Sequence, residues 1–413
     1  MRFSASPPER PAPRLLHITT VSETLGFLIG QVGYLRAQGF EVHALSSPGE
    51  WLGTFAARER VPVHAVELLR RITPLQDLRA LSRIRRVLRR LRPVIVHGHT
   101  PKGGLLGMIA ATLERVPVRV YHLHGLPLMT ATGMRRQLLT WTERVSCRLA
   151  HQVFCVSHSL REVAIAEGLC PADKIKVLLG GSINGVDAVG RFNPGRLPEG
   201  TRAAIRARYG IPTEATVVGF VGRIVRDKGM VELAAAWRAL RERFPQLHLF
   251  LVGPFEPQDP VPAEVTALFH SDPRIHLAGV CWETPPLYAA MDFMVLPTYR
   301  EGFPVVPLEA AAMGLPTIAT RIPGCIDAIE DRRTGLLVPP RDAAALAEAL
   351  AVYLREPKLW HRHGRAARER VLRDFRQEAL WEALAAEYGR LLQRVAGDGW
   401  WVAGEDKESP ASP

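Results

Sequence analysis

From Leu15 onward the chain alternates short apolar runs with stretches of helical periodicity, and the rhythm plays through twice. Apolar runs of four to six residues bounded by turn formers read as strands buried on both faces. In the first half they predict strands at 15–19, 41–46, 94–98, 119–123, 153–157 and 176–179, with helices near 25–38, 78–90, 104–113, 137–150 and 159–167. Strands alternating with helices call for a parallel, doubly wound α/β sheet. The turn-rich stretch Gly190-Arg191-Phe192-Asn193-Pro194-Gly195-Arg196-Leu197-Pro198 interrupts the pattern. It restarts at Val217, with strands near 248–252, 274–277, 293–297, 317–319 and 336–338. A chain of 413 residues is too long for one small core, so the reading is two doubly wound domains, 14–195 and 196–378.

Bulk properties narrow the class. Hydrophobic residues at 47% and charged residues at 23% are ordinary for a globular protein. No apolar run is long enough for a membrane span, and Met1 to Pro8 hold no apolar core of a secretory leader. Five scattered cysteines without metal-type pairing suit structural thiols in a reducing cytoplasm. The net charge of +12 asks for an anionic partner. Nucleic acid is not supported, because no basic stretch is interleaved with aromatics in a recognised binding motif. Much of the excess lies in Arg79, Arg83, Arg85, Arg86, Arg89, Arg90 and Arg92, beside Leu78, Leu81, Ile84, Val87, Leu88 and Leu91 at helical spacing. An amphipathic basic helix of this kind fits an anionic membrane surface, and it equally fits a solvated helix packed on the sheet. The segment 134–141, with Arg135, Arg136 and Trp141, allows the same two readings.

The chemistry gathers in loops that leave strands. Glu301 follows the strand at 293–297, and Glu309 lies one turn inside the next helix, entered through Gly302, Phe303 and Pro304. Carboxylates are common at helix starts, so this spacing alone is weak. Its neighbours add weight. Arg223 and Lys228 follow the strand beginning at Val217, at the edge where open parallel sheets bind ligands. Arg and Lys suit phosphate oxygens, a helix start adds free N–H groups, and Glu309 suits a vicinal diol. Diphosphate, ribose and sugar together describe a nucleotide-sugar. No Asp-x-Asp occurs, so the predicted enzyme uses fixed cations, with no metal and no cofactor.

These motifs, Gly222-Arg223 with Lys228-Gly229 and Glu301-Gly302-Phe303-Pro304 through Glu309, resemble the nucleotide half of a retaining family 4 glycosyltransferase with the GT-B fold. Thr334-Gly335-Leu336-Leu337-Val338 extends the likeness. In the first half, His99-Thr100-Pro101-Lys102-Gly103-Gly104, His124-Gly125-Leu126-Pro127 and Asn184-Gly185-Val186-Asp187 resemble members that extend bacterial surface polysaccharides or lipid-linked oligosaccharides. The likeness runs from about residue 15 to 393.

The resemblance implies an N-terminal acceptor domain, a C-terminal nucleotide-sugar domain, a helix at 379–395 crossing back onto the first domain, and a mobile tail at 396–413. Trp400 and Trp401 in that tail dock on the protein or on a membrane. It implies retention at the anomeric carbon, with Glu301 orienting the donor sugar and His124 beside the reacting centre. Ile275 and its neighbours up to Gly279 would meet the base, expected to be uracil with guanine open. His99 and Lys102 are acceptor candidates, although capping of the helix from Gly104 explains that loop equally well. The turn 20–26 lacks the Gly-Gly pair of many members, and Asp187 stands one residue further from Phe192 than the usual pattern. Asn184 and Asp187 read as linker structure. The expected activity is transfer of a hexose or N-acetylhexosamine from a UDP-sugar to a saccharide on a lipid diphosphate, in the cytoplasm or on the inner membrane face. A UDP-hexosamine epimerase would instead turn over UDP-sugar without acceptor. A non-catalytic nucleotide-sugar-binding protein would be expected to lack some of Glu301, Arg223, Lys228 and His124.

Overall fold

The computed structural model describes residues 12–71 and 73–397. The first half forms β1 (Arg14–Ile18), β2 (Glu41–Ser46), β3 (Val63–Ala65), β4 (Ile95–His99), β5 (Val118–Leu123), β6 (Gln152–Cys155) and β7 (Ile175–Val177). Their order in the sheet is β3-β2-β1-β4-β5-β6-β7, with every pairing parallel. The second half forms β8 (Thr216–Val221), β9 (Leu247–Val252), β10 (Ile275–Gly279), β11 (Phe293–Leu296), β12 (Thr317–Thr320) and β13 (Gly335–Val338). This sheet is ordered β10-β9-β8-β11-β12-β13, again parallel throughout. In both sheets the order reverses beside the first strand, which opens a crevice at the carboxyl ends of β1 and β4 and of β8 and β11.

Several elements escape the sequence reading, β3 and the helix before it among them. β3 is a three-residue edge strand, too short to show a period, and the helix Glu50–Glu59 precedes it. The basic helix spans Pro74–Leu91 and begins four residues before the expected start, because Pro74 occupies the first turn where its missing N–H costs nothing. Ala80, Ile84 and Leu88 form its buried stripe. Leu78, expected on that stripe, is 63% exposed. Arg85 and Arg89 hold Glu114 through their Nε atoms at 2.6 and 2.9 Å, so part of the basic face is already paired.

The last helix, Gln377–Gly397, returns to the first domain. Leu380, Leu384, Tyr388 and Leu391 are buried there with Leu15, Leu25, Val118 and Val120. Each such side chain contributes about 1.5–3 kcal/mol of burial. Polar contacts set its register: the Tyr388 hydroxyl bonds His97 Nδ1, and Trp381 Nε1 donates to Asn184 Oδ1 at 2.6 Å. Where the chain first leaves the N-terminal sheet, Val186 N donates to Phe375 O at 2.9 Å, so the outgoing and returning passages run side by side. Asp187 closes the following turn by accepting from Gly190 N and Arg191 N. Residues 398–413, with Trp400 and Trp401, lie outside the described residues. Among the described residues no helix is long and apolar enough to cross a membrane.

Candidate active site

The crevices of the two sheets face each other across a cleft of about 1790 Å³. Arg223, Arg300, Val305, Val306 and Glu309 line it from the second domain, and Thr20, Thr100, Lys102 and Leu105 from the first. Arg223 leaves the carboxyl end of β8, and its Nη1 donates to Glu256 at 2.8 Å. Lys228, further along the same loop, donates to Glu301 Oε1 in the loop after β11. Tyr299 N donates to Asp227 O at 2.9 Å and Arg300 Nη2 to Asp227 Oδ2 at 3.1 Å, which locks these two loops together. Glu309 lies in the first turn of the helix Val306–Ala312 and accepts from the Tyr288 hydroxyl at 2.7 Å. Burial raises its carboxyl above the ordinary range.

Gly302 packs directly against the first domain. Its carbonyl accepts from Ser157 Oγ at 2.8 Å, while Ser157 also caps the helix His158–Ala166. Asp327, from the second domain, accepts from the N–H groups of His158 and Ser159 at 3.0 and 3.2 Å. Phe303 packs against Phe375, with ring centroids 5.5 Å apart, and Pro304 is buried beside it. The side chains of Phe303 and Pro304 are therefore committed to the junction, and any nucleotide contact they make would run through backbone.

His124 stands at the carboxyl end of β5 with residual exposure, next to Gly125, which meets Gly302. Behind it, in-register parallel strands stack further histidines on one sheet face: His17 opposite His97, and His99 opposite His122. His124 Nε2 bonds His99 Nδ1, and His99 Nε2 bonds His17 Nδ1, both at 2.9 Å. Burial depresses His17 and His124 to about 3, so both rings are neutral. Among the described residues two triplets, His17/His97/His99 and His99/His122/His124, bring ligand nitrogens within 4.8 Å of one another and are the candidates for holding a metal ion. His99, an acceptor candidate from sequence, is 2% exposed and sits behind His124, not on the cleft wall. Lys102 does line the cleft, where Asp77 Oδ1 already holds it at 2.8 Å.

Ile275 needs a correction. It is the first residue of β10, buried in the core at the amino end of the strand. Four residues of strand, about 13 Å, separate it from the carboxyl edge where the cleft lies. The loop beyond Gly279 reaches the cleft instead, through Trp282 and Glu283. Trp282 stacks on Trp51 of the first domain with centroids 4.9 Å apart, and Arg191 Nη2 donates to its carbonyl. Trp282, Arg300 and Tyr288 went unnoticed in the sequence. For Trp282 a signal existed, since an aromatic just past a strand's carboxyl end is placed to meet a ligand.

Residues 30–181 match the family described as glycosyl transferase 4-like domain, and residues 215–356 match glycosyl transferases group 1. The chain is 29% identical over 385 residues to the capsular polysaccharide biosynthesis glycosyltransferase CapM of Staphylococcus aureus, covering 93% of this chain and 99% of that one. It is 27% identical to the Escherichia coli UDP-Gal:alpha-D-GlcNAc-diphosphoundecaprenol alpha-1,3-galactosyltransferase, over 75% of this chain and 78% of that one. The fold matches the Anabaena protein HepE, solved with UDP-glucose, at a TM-score of 0.75 and 20% identity, over 91% of this chain and 99% of that one. Two facing parallel sheets, a cleft between their carboxyl edges and a returning terminal helix define the GT-B fold. The chain belongs to the group 1, family 4-type glycosyltransferases.

Proposed function

We propose that this glycosyltransferase moves a hexose or N-acetylhexosamine from a UDP-sugar, with retention, to a saccharide carried on a lipid diphosphate. The observation that carries the donor half is the bond between Lys228 and Glu301 at the carboxyl edge of the second sheet. A ligand with a phosphate beside a sugar would split this pair, giving an anion to the ammonium and a hydroxyl to the carboxylate. Arg223 then serves the diphosphate and Glu309, with one oxygen taken by Tyr288, offers the other to a ribose. The acceptor hydroxyl attacks the anomeric carbon from the face of the departing diphosphate. As the carbon–oxygen bond to diphosphate breaks, a diphosphate oxygen takes the hydroxyl proton, leaving a glycoside and UDP. Fixed cations stabilise the leaving group, so the reaction proceeds without a metal ion.

The acceptor half rests on the wall of the first domain. Leu105, Leu106, Leu138 and Leu139 make it apolar, and Arg70, Arg71 and Arg135 edge it with positive charge. That combination suits a diphosphate with a hydrocarbon chain, in keeping with the diphosphoundecaprenol-linked acceptor named for the E. coli relative. The helices Pro74–Leu91 and Gly133–Leu149 flank Pro101–Leu113 and expose Leu75, Leu78 and Met134 in their first turns and Trp141 further along. With Arg79, Arg83 and Arg86 exposed nearby, this surface would rest on an anionic membrane and keep the enzyme on the inner face. The test is a screen of nucleotide-sugars for UDP release, with and without a lipid extract. UDP release that depends on the extract supports the proposal. Turnover without acceptor, or release from no UDP-sugar, overturns it.

A further inference from the structure

We propose that Trp282 is the stacking platform for the nucleobase and that Trp51 holds the base's place in the empty enzyme, so that the nucleotide displaces Trp51 as it binds. The inference rests on the UDP-sugar reading of the cleft given under the proposed function.

Trp282 lies in the loop just past the carboxyl end of β10, the edge at which open parallel sheets bind ligands. β10 stands two strands from β8, whose loop carries Arg223, so about 10 Å of sheet edge separates the two loops. A nucleoside covers such a span between its phosphate and its base. The Trp282 loop then leads into the helix Pro285–Ala289, where the Tyr288 hydroxyl holds Glu309, the carboxylate assigned to the ribose. Among the described residues that line the cleft, Trp282 is the aromatic ring that the second domain contributes.

Trp282 is 66% exposed, and Trp51 stacks on it from the first domain with the ring planes 20° apart. A contact from the first domain covers the face of Trp282 that looks across the cleft. A nucleotide seated on the second domain occupies that same space and meets the same face. Base and Trp51 are therefore alternative occupants. The two indoles are held differently. Arg191 donates to the Trp282 carbonyl and its Nη2 lies 3.6 Å from Glu283 Oε2, which fixes the loop under the ring. Trp51 sits at the start of the helix Glu50–Glu59, and its buried Nε1 has no hydrogen-bond partner, so no polar contact of that ring is lost when the pair parts. Every base offers a flat π-face, and one flat ring can replace another on an indole. The stack keeps an apolar surface covered until the nucleotide arrives, and its exchange frees the first domain at that moment.

Calorimetry with UDP and with inorganic pyrophosphate, which has no base, tests the exchange. Trp282→Ala should weaken UDP binding about tenfold and leave pyrophosphate unchanged. Trp282→Phe keeps a flat ring and should recover most of that affinity. Trp51→Ala removes the competitor and should tighten UDP binding about threefold, again with pyrophosphate unchanged. The two truncations thus move UDP affinity in opposite directions. A stacked indole pair also gives a coupled band in far-ultraviolet circular dichroism. That band should be present in the empty enzyme, absent from Trp51→Ala, and lost at saturating UDP but not at saturating pyrophosphate. Unchanged UDP affinity in Trp282→Ala overturns the platform, and equal or weaker UDP binding by Trp51→Ala overturns the exchange. Persistence of the coupled band at saturating UDP overturns it as well. None of these readouts needs an acceptor. If transfer fails and UDP affinity still shifts as stated, the exchange stands; if transfer from a UDP-sugar is found without the shifts, the exchange alone falls.

Discussion

A β-carbon placed on Gly302 would lie 1.7 Å from the carbonyl oxygen of His124. The two residues belong to different domains, and only the absence of a side chain lets the loops that carry Glu301 and His124 meet. Gly302→Ala must push them apart by an ångström or more. We expect transfer to fall about 10²-fold, since misplacement on that scale costs this much in an oriented reaction. UDP affinity, assigned in the proposal to the second domain, should stay within a few-fold. Calorimetry beside a UDP-release assay checks both, and normal turnover would show that the close contact is not needed.

Under the proposed function, the Lys228 and Glu301 pair should separate binding from chemistry. Lys228→Ala removes a charged donor to phosphate and should weaken UDP binding by about ten- to a hundredfold. Glu301→Ala should leave UDP binding nearly intact and reduce transfer to background. Equal affinity for UDP in the Lys228 variant, measured by calorimetry, would count against the phosphate contact.

Stability should fall steeply in mild acid. His17 and His124 titrate near 3 in the fold and near 6.5 when unfolded, and His97, His99 and His122 are lowered too. Between those values the unfolded chain binds more protons, so stability rises with pH through this window and is complete above about 6.5. Each such histidine adds a slope of about 1.4 kcal/mol per pH unit. Urea midpoints at pH 7.0, 6.0 and 5.0 should therefore decline progressively. A flat profile would mean that these rings are charged or exposed.

Chelation offers a further check. Activity assayed with excess EDTA should match activity with added magnesium or manganese. A strict requirement for either ion would overturn the fixed-cation account of the leaving group.

Vesicle sedimentation tests the surface near the cleft. Binding to vesicles with anionic lipid should exceed binding to neutral ones and should weaken with salt. Replacing Arg79, Arg83 and Arg86 by Ser should lower it, while UDP affinity stays unchanged. Equal binding to both vesicle types would remove the electrostatic argument.

The strand–helix rhythm made the two parallel sheets legible because strands buried on both faces are continuous apolar runs. It could not show β3, whose half-exposed residues carry no such signal. That Arg223, Lys228 and Glu301 follow strand ends could be read from the sequence, because the apolar runs before them are unbroken. Ile275 lies away from the cleft because an apolar run does not announce which of its ends faces the cleft. Leu78 has the spacing of a buried stripe, yet it is exposed near the start of its helix. The histidine row was invisible for another reason. His17 and His99 lie in β1 and β4 and His124 just past β5, and the register that brings them together is a property of the sheet and not of any one segment.

The paired passages at Val186 and Phe375 limit how the halves can move. Two tethers side by side resist twist and sliding, and they leave rotation about the line they define, like a door on adjacent pins. Admission of a nucleotide and departure of the product would then follow a single swing, with the Trp51–Trp282 stack breaking as the mouth widens.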